Sequence, residues 1–347
     1  MSSPCRPVFL LFFGLVLSTP AWAFDPGQVN AAQPGSAAKT HSGKLDPLTT
    51  KIEILLDRVH FSPGEIDGKP GENVEKALTA FAQAQGTKWD KKWTPELWQA
   101  LSNGAPENLF TQYTITEDDV RGPFLKKVPS KLEDMKDLPG LYYTSAREEL
   151  AERFHVSENL LAALNPKAAF DKAGESLVVP IVTDNPLSKR VTRIVVDKSA
   201  QTVEAFDSKN DLIAFYPATV GSEEKPAPSG RSKVTTIKKN PPYRYNPKYH
   251  FKGVSAEKPF TVKPGPNSPV GLVWIGLTGE GYGIHGTAEP NKVSKTASHG
   301  CVRLTNWDAL QLAAAVRKGV PVEFMDGEPS RSAHGQSAHP RETVGGH

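Results

Sequence analysis

The chain has 347 residues, a formal charge of +3, 23% charged and 38% hydrophobic side chains, and two cysteines. This balance is ordinary for a folded protein and too weakly basic to select nucleic acid, while the length admits two or three domains. Beyond residue 23 no run is apolar for long enough to span a bilayer.

Residues 1–23 read as an export signal. Arg6 supplies a positive start, residues 8–17 (VFLLFFGLVL) an apolar run too short to span, and residues 21–23 (AWA) a small-residue cleavage site. Cys5 precedes the apolar run, which argues against a lipid-anchored leader. Cleavage removes Cys5 and leaves Cys301 as the lone thiol, so no internal disulfide is expected. The protein is therefore expected in the periplasm or cell envelope; the alternative is an uncleaved anchor.

Residues 24–45 are rich in Ala, Gly, Ser, Pro and Gln without periodicity and read as a linker. Leu48, Ile52, Leu55, Leu56 and Val59 then recur at helical spacing, followed after the Pro63-Gly64 break by Val74, Ala77, Leu78, Phe81 and Ala82, and by Leu97, Trp98 and Leu101. These stripes set a helical module at 46–112, with a connector at 113–136. Within 137–181, residues 141–144 (LYYT) predict a strand. Ser145 caps a helix with Glu148 completing a capping box, Ser157 caps a second helix that stops at Asn165-Pro166, and residues 177–181 (LVVPI) form a closing strand.

From residue 186 the pattern turns to strands, at 193–196, 202–206, 212–216, 234–237, 272–275 and 320–324. One helix is expected from about 307 to 317, capped by Thr305 or Asn306. Residues 239–251 (KNPPYRYNPKYHF) interleave cations and aromatics with proline. Export makes nucleic acid a poor ligand for them; they read as a wall or lid of a substrate cleft, or as plain surface packing. Residues 326–347 are polar and expected to be disordered, with His334, His339 and His347 too scattered to hold a metal.

The chemistry concentrates in Ile284-His285-Gly286-Thr287 and Ser298-His299-Gly300-Cys301-Val302-Arg303. A thiol with an ordinary pKa of ~8.5 is little ionised at neutral pH and needs a base to act as a nucleophile. His285, sixteen residues upstream of Cys301, supplies that base if a turn brings it back. Gly300 lets backbone approach a substrate and aim an N–H at a developing oxyanion. A zinc site of His285, His299 and Cys301 has suitable atoms but no fourth ligand at the expected spacing.

These two blocks, with residues 216–221 (YPATVG), 228–230 (PSG) and 264–271 (PGPNSPVG) upstream, closely resemble the signature of the YkuD-type L,D-transpeptidases. Residues 61–68 (FSPGEIDG) and 74–81 resemble helical peptidoglycan-binding modules, a plain packing domain being the alternative. The 137–181 segment resembles a LysM domain, although it opens with Leu138-Pro139-Gly140-Leu141; a spacer is the alternative there.

The fold class implied is multi-domain α+β: a mostly-β, sandwich-like catalytic domain at 186–325 preceded by the LysM-like domain and the helical module. The resemblance makes Cys301 the nucleophile and His285 the general base, oriented by the backbone carbonyl of Gly286. His299, Gly300 and Cys301 supply the oxyanion hole, and Ser298, Arg303, Tyr282 and Thr287 contact substrate; a structural role for Arg303 also stands. It implies attack on tetrapeptide stems of peptidoglycan with loss of D-alanine, a thioester on Cys301, and transfer to an amine of a second stem or of an envelope lipoprotein. Water as acceptor, giving an L,D-carboxypeptidase, and a non-catalytic peptidoglycan-binding protein are the alternatives. No cofactor or metal is implied.

Overall fold

The computed structural model describes residues 24–35, 44–182, 186–221, 227–249, 254–296 and 300–326. Residues 1–23, read as an export signal, the tail after residue 326, Ser298 and His299 lie outside the described residues.

The first half is mainly helical: α1 (Pro26–Ala31), α2 (Pro47–Arg58), α3 (Glu72–Ala84) and α4 (Pro95–Ser102), then β1 (Phe110–Thr114), α5 (Glu117–Arg121), α6 (Leu132–Met135), α7 (Ala146–Arg153), α8 (Glu158–Leu164) and β2 (Ser176–Pro180). Side-chain caps start many of these helices, at Ser157 as expected. Asp46 accepts from Thr49 N–H, Thr94 from Leu97 N–H and Ser157 from Leu160 N–H, satisfying donors that the first turn leaves unpaired.

Two local expectations fail. Residues 141–144 form no strand; β2 pairs antiparallel with β1, Phe110 opposite Pro180 and Thr114 opposite Ser176. Leu141 is held instead by loop 264–267, its N–H donating to Pro264 O at 3.0 Å and its carbonyl accepting from Asn267 N–H at 2.9 Å. The capping box at Ser145 is also displaced. Ser145 Oγ accepts from Glu148 N–H as expected, but the Glu148 carboxylate bonds Thr144 N–H and its hydroxyl. Its other oxygen accepts from Asn267 Nδ2 at 2.7 Å, so a tertiary partner turns the side chain away from the box.

Apolar side chains from α2, α3, α4, α7, α8, β1 and β2 bury one another in a single core. The helical stretch and the LysM-like stretch thus share their interior. That core also takes Phe215 from the second half, where Ser62 N–H donates to Phe215 O and Phe215 N–H to His60 O. The contact covers an otherwise open strand edge.

The second half contains β3 (Arg193–Asp197), β4 (Thr202–Phe206), β5 (Leu212–Pro217), β6 (Thr219–Val220), β7 (Gly230–Lys239), β8 (Tyr243–Tyr245), β9 (Phe260–Val262), β10 (Val273–Leu277), β11 (Gly283–His285), β12 (Val302–Arg303), α9 (Asn306–Ala315) and β13 (Pro321–Met325). Nine strands form one ladder in the order β5-β4-β3-β13-β7-β10-β11-β12-β6. The expected sandwich is therefore a single, nearly closed sheet. Its two outer strands are joined through Ala218 alone, and β7 pairs through its first half with β13 and through its second with β10. The two half-sheets bury a common core under α9, built on Val196, Val203, Ile275, Ile284, Val302, Leu312 and Val322.

A smaller apolar cluster joins residues 125–142 to the β8–β9 hairpin, with Leu125, Leu141 and Val262 at its centre and Leu132, Met135, Tyr243 and Phe260 around them. No helix of the described residues is long and apolar enough to cross a membrane.

Candidate active site

Strand alternation builds the site. Paired residues on neighbouring strands project to one face, and their sequence neighbours to the other. The registers align Lys238 of β7 with Trp274 of β10, Trp274 with His285 of β11, and His285 with Arg303 of β12. One position along, Ile237, Ile275, Ile284, Val302 and Val220 form a parallel row; Ile275, Ile284 and Val302 are buried in the core. The polar row faces the other way, and Cys301, two residues before Arg303, shares its face.

That face floors a cavity of about 550 Å³ lined by Lys238, Trp274, His285, Cys301 and Arg303. Pro241, Pro242, Tyr243 and Arg244 form one side, so the basic-aromatic stretch does wall the cleft. Ser130, Leu132 and Met135 form another. These three belong to the segment read as a connector, which carries no periodicity; only the apolar pair spaced three apart could have hinted at packing. Trp274 was likewise read only as part of a strand.

His285 is 3% exposed, and its Nδ1 lies 2.7 Å from the Gly286 carbonyl. A carbonyl can only accept, so Nδ1 carries the proton and Nε2 keeps its lone pair. Trp274 stacks on the ring, centroids 5.5 Å apart and planes 17° apart. Burial, then the charge of Arg303, pushes the imidazole down to about 3 against the Gly286 hydrogen bond. The ring is thus neutral at neutral pH, with its Nε2 lone pair unprotonated.

Cys301 is a half-buried thiol whose Sγ lies 3.3 Å from Gly281 O. Gly300 before it adopts φ +91°, a conformation open to glycine. Arg303 forms no ion pair among the described residues. Burial lowers its pKa, opposed by Cys301, Glu289 and Tyr243. The lining thus carries Lys238, Arg244 and Arg303 and, among the described residues, no carboxylate. Such a cavity suits an acidic ligand and a thiolate.

Cys301, His285 and Arg303 are brought together. Gly286 and Gly300 flank them. Tyr282 packs against the core and Thr287 is buried with its hydroxyl accepting from Glu289 N–H at 3.2 Å; neither lines the cavity. Among the described residues no group of three His, Cys, Asp or Glu side chains could hold a metal ion.

The comparisons with known proteins agree with this region. A profile described as YkuD, L,D-transpeptidase catalytic domain, matches residues 191–324. A protein of Bacillus licheniformis that carries the L,D-transpeptidase name YkuD is 29% identical over 179 residues, 51% of this chain and 92% of its own. A Bacillus subtilis protein named for the same activity, YqjB, is 30% identical over 148 residues, 41% of this chain and 76% of its own. The solved structure of L,D-transpeptidase 3 from Mycobacterium tuberculosis overlaps 44% of this chain and 76% of that one at 16% identity and a TM-score of 0.32, a likeness too loose to add to the argument.

Proposed function

Since this chain belongs to the YkuD family of L,D-transpeptidases, we propose that it cleaves tetrapeptide stems of peptidoglycan through a thioester on Cys301. His285 Nε2 takes the thiol proton while Gly286 O holds the other nitrogen. The thiolate attacks the carbonyl that carries D-alanine, and the oxyanion is met by backbone N–H groups of residues 299–301, each donor worth ~3 kcal/mol of barrier. The proton on His285 passes to the departing D-alanine amine. An acceptor amine then attacks the thioester, returning the thiol, so the energy of the broken peptide bond is kept in the new one.

The observation that carries this reading is the cross-strand row that sets His285 and Arg303 on the face shared with Cys301, at the floor of a cavity lined by cations. Stem peptides bear free carboxylates, which Arg303, Arg244 and Lys238 complement. Residues 1–23 would direct the chain to the cell envelope. The region 46–181, read as helical and LysM-like modules, would hold the wall as one body.

The test is mass spectrometry of the protein incubated with disaccharide-tetrapeptide fragments. Cross-linked dimers with released D-alanine, both lost in Cys301→Ala, are the expected result. Tripeptide alone would make water the acceptor, and unchanged fragments would leave a binding protein.

A further inference from the structure

We propose that Glu152, outside the catalytic domain, is a positioning residue for His285, acting through Asn306. The inference rests on the reading of His285 as the base.

Glu152 sits on α7 and is 8% exposed. Its carboxyl oxygens accept from Asn306 Nδ2 at 2.9 and 3.2 Å, and one of them accepts from the Tyr143 hydroxyl at 3.3 Å. Asn306 Nδ2 also donates to Pro266 O at 3.2 Å, while its Oδ1 accepts from Leu272 N–H at 3.1 Å. Pro266 O and Leu272 N–H fix which way the amide points: reversed, its oxygen would face a carbonyl and its NH2 group an N–H donor.

The oxygen side of Asn306 enters a slot between two glycines. A Cβ on Gly271 would lie 2.1 Å from Oδ1, and one on Gly286 would lie 2.2 Å from it. Gly271 adopts φ +57°, and its missing Cβ would also stand 2.7 Å from the Gly286 carbonyl carbon. Gly286 is the residue whose carbonyl pins Nδ1 of His285. Asn306 therefore wedges the peptide that sets the tautomer and angle of the imidazole, and Glu152 holds the wedge in place. A ring held within a fraction of an ångström matters because a misplacement of ~1 Å can cost about a hundredfold in rate.

This contact makes the first half of the chain part of the catalytic geometry, beyond any role in holding the wall. The distinction from mere structural support is measurable at the ring itself. In the full chain, 15N NMR of His285 should show one tautomer, protonated at Nδ1. Glu152→Ala, which leaves Nδ2 with Pro266 O alone, should mix the tautomers. It should also lower kcat for D-alanine release about tenfold or more, with KM within about twofold. Glu152→Gln keeps an acceptor for Nδ2 and should restore both. Asn306→Ala should reproduce Glu152→Ala, and the double variant should fall no further than either single one.

An unmoved tautomer with kcat within about twofold in a folded Glu152→Ala protein would overturn the proposal, as would a loss that Glu152→Gln fails to restore. If Glu152→Ala does not fold, the comparison of Asn306→Ala with Glu152→Gln makes the same decision. Failure of the underlying reading looks different: His285→Ala would then retain D-alanine release, whatever the tautomer does in the Glu152 variants.

Discussion

Trp274 lies flat against His285, with 5.5 Å between ring centroids and 17° between planes. The pair follows from a strand register that sets the two residues opposite each other. The indole covers a face of the imidazole that water would otherwise reach, and burial is the first cause that drives His285 down to about 3.

Trp274→Ala should therefore re-solvate the imidazolium and raise the His285 titration towards the ordinary value of about 6.5. Histidine chemical shifts followed between pH 2 and 8 would show it. A midpoint that stays near 3 would mean that Arg303, the second cause, dominates.

Arg303 places a positive charge near Cys301 and His285. A cation favours thiolate over thiol and neutral imidazole over imidazolium. Removing it in Arg303→Gln should move the pH midpoint of Cys301 alkylation by iodoacetamide upwards, by about one unit. An unchanged midpoint would assign Arg303 to the loop's structure alone.

Leu132 and Met135 give the cavity an apolar wall from outside the catalytic domain. Leu132→Asp should place a carboxylate before the carboxylate-bearing stem peptide proposed as substrate. We expect KM for the tetrapeptide fragment to rise about five- to tenfold with kcat little changed. Equal kinetics in a folded variant would move the substrate to another part of the cavity.

Asp308 is 3% exposed at the start of α9 and accepts from Ser62 Oγ at 2.9 Å. Burial raises its carboxyl to about 7; hydrogen bonds from Thr305 and Ser62 oppose this and the charge of Asp57 adds to it. With an unfolded value near 3.9, the folded state keeps a proton that the unfolded state has released. Stability is therefore fully present below about pH 4 and falls as pH rises through 7, by about 2–4 kcal/mol for this group. Glu152, raised to about 8 chiefly by burial, extends the fall in the same direction. Denaturant unfolding at pH 5 and 8 should show a weaker dependence in Asp308→Asn than in the parent.

Gly265 is dictated by contact with the first half. A Cβ there would lie 2.2 Å from Leu141 O and 2.5 Å from its carbonyl carbon, at φ +151°. Gly265→Ala should cost upwards of about 2 kcal/mol, read as a fall in the denaturation midpoint, because backbone on both sides must shift. A loss below about 0.5 kcal/mol would show that the loop yields easily.

The features legible in residue order alone were local in kind. The cap at Ser157 and the strands at 202–206 and 212–216 were legible because neighbours two to four residues apart decide them; the stripe from Leu48 to Val59 located α2 but not its buried face, since every residue from Thr49 to Asp57 is buried. The motif around His285 and Cys301 was legible for a related reason, since chemistry needs those residue types in that order. Only the parallel register of β11 with β12 decided that His285 and Arg303 share the face that Cys301 lines.

Pairings between distant parts of the chain were set only by the fold. Residues 141–144 have strand composition, yet β2 takes β1 as its partner and Leu141 is claimed by loop 264–267. Glu148 satisfies a capping pattern, yet Asn267, 119 residues away, turns its carboxylate. The connector becomes a cavity wall only because the β8–β9 hairpin offers it an apolar surface. Glu152 meets Asn306 across 154 residues. No periodicity encodes such pairs, because they are set by which apolar faces find each other and by which buried polar atoms must then be satisfied.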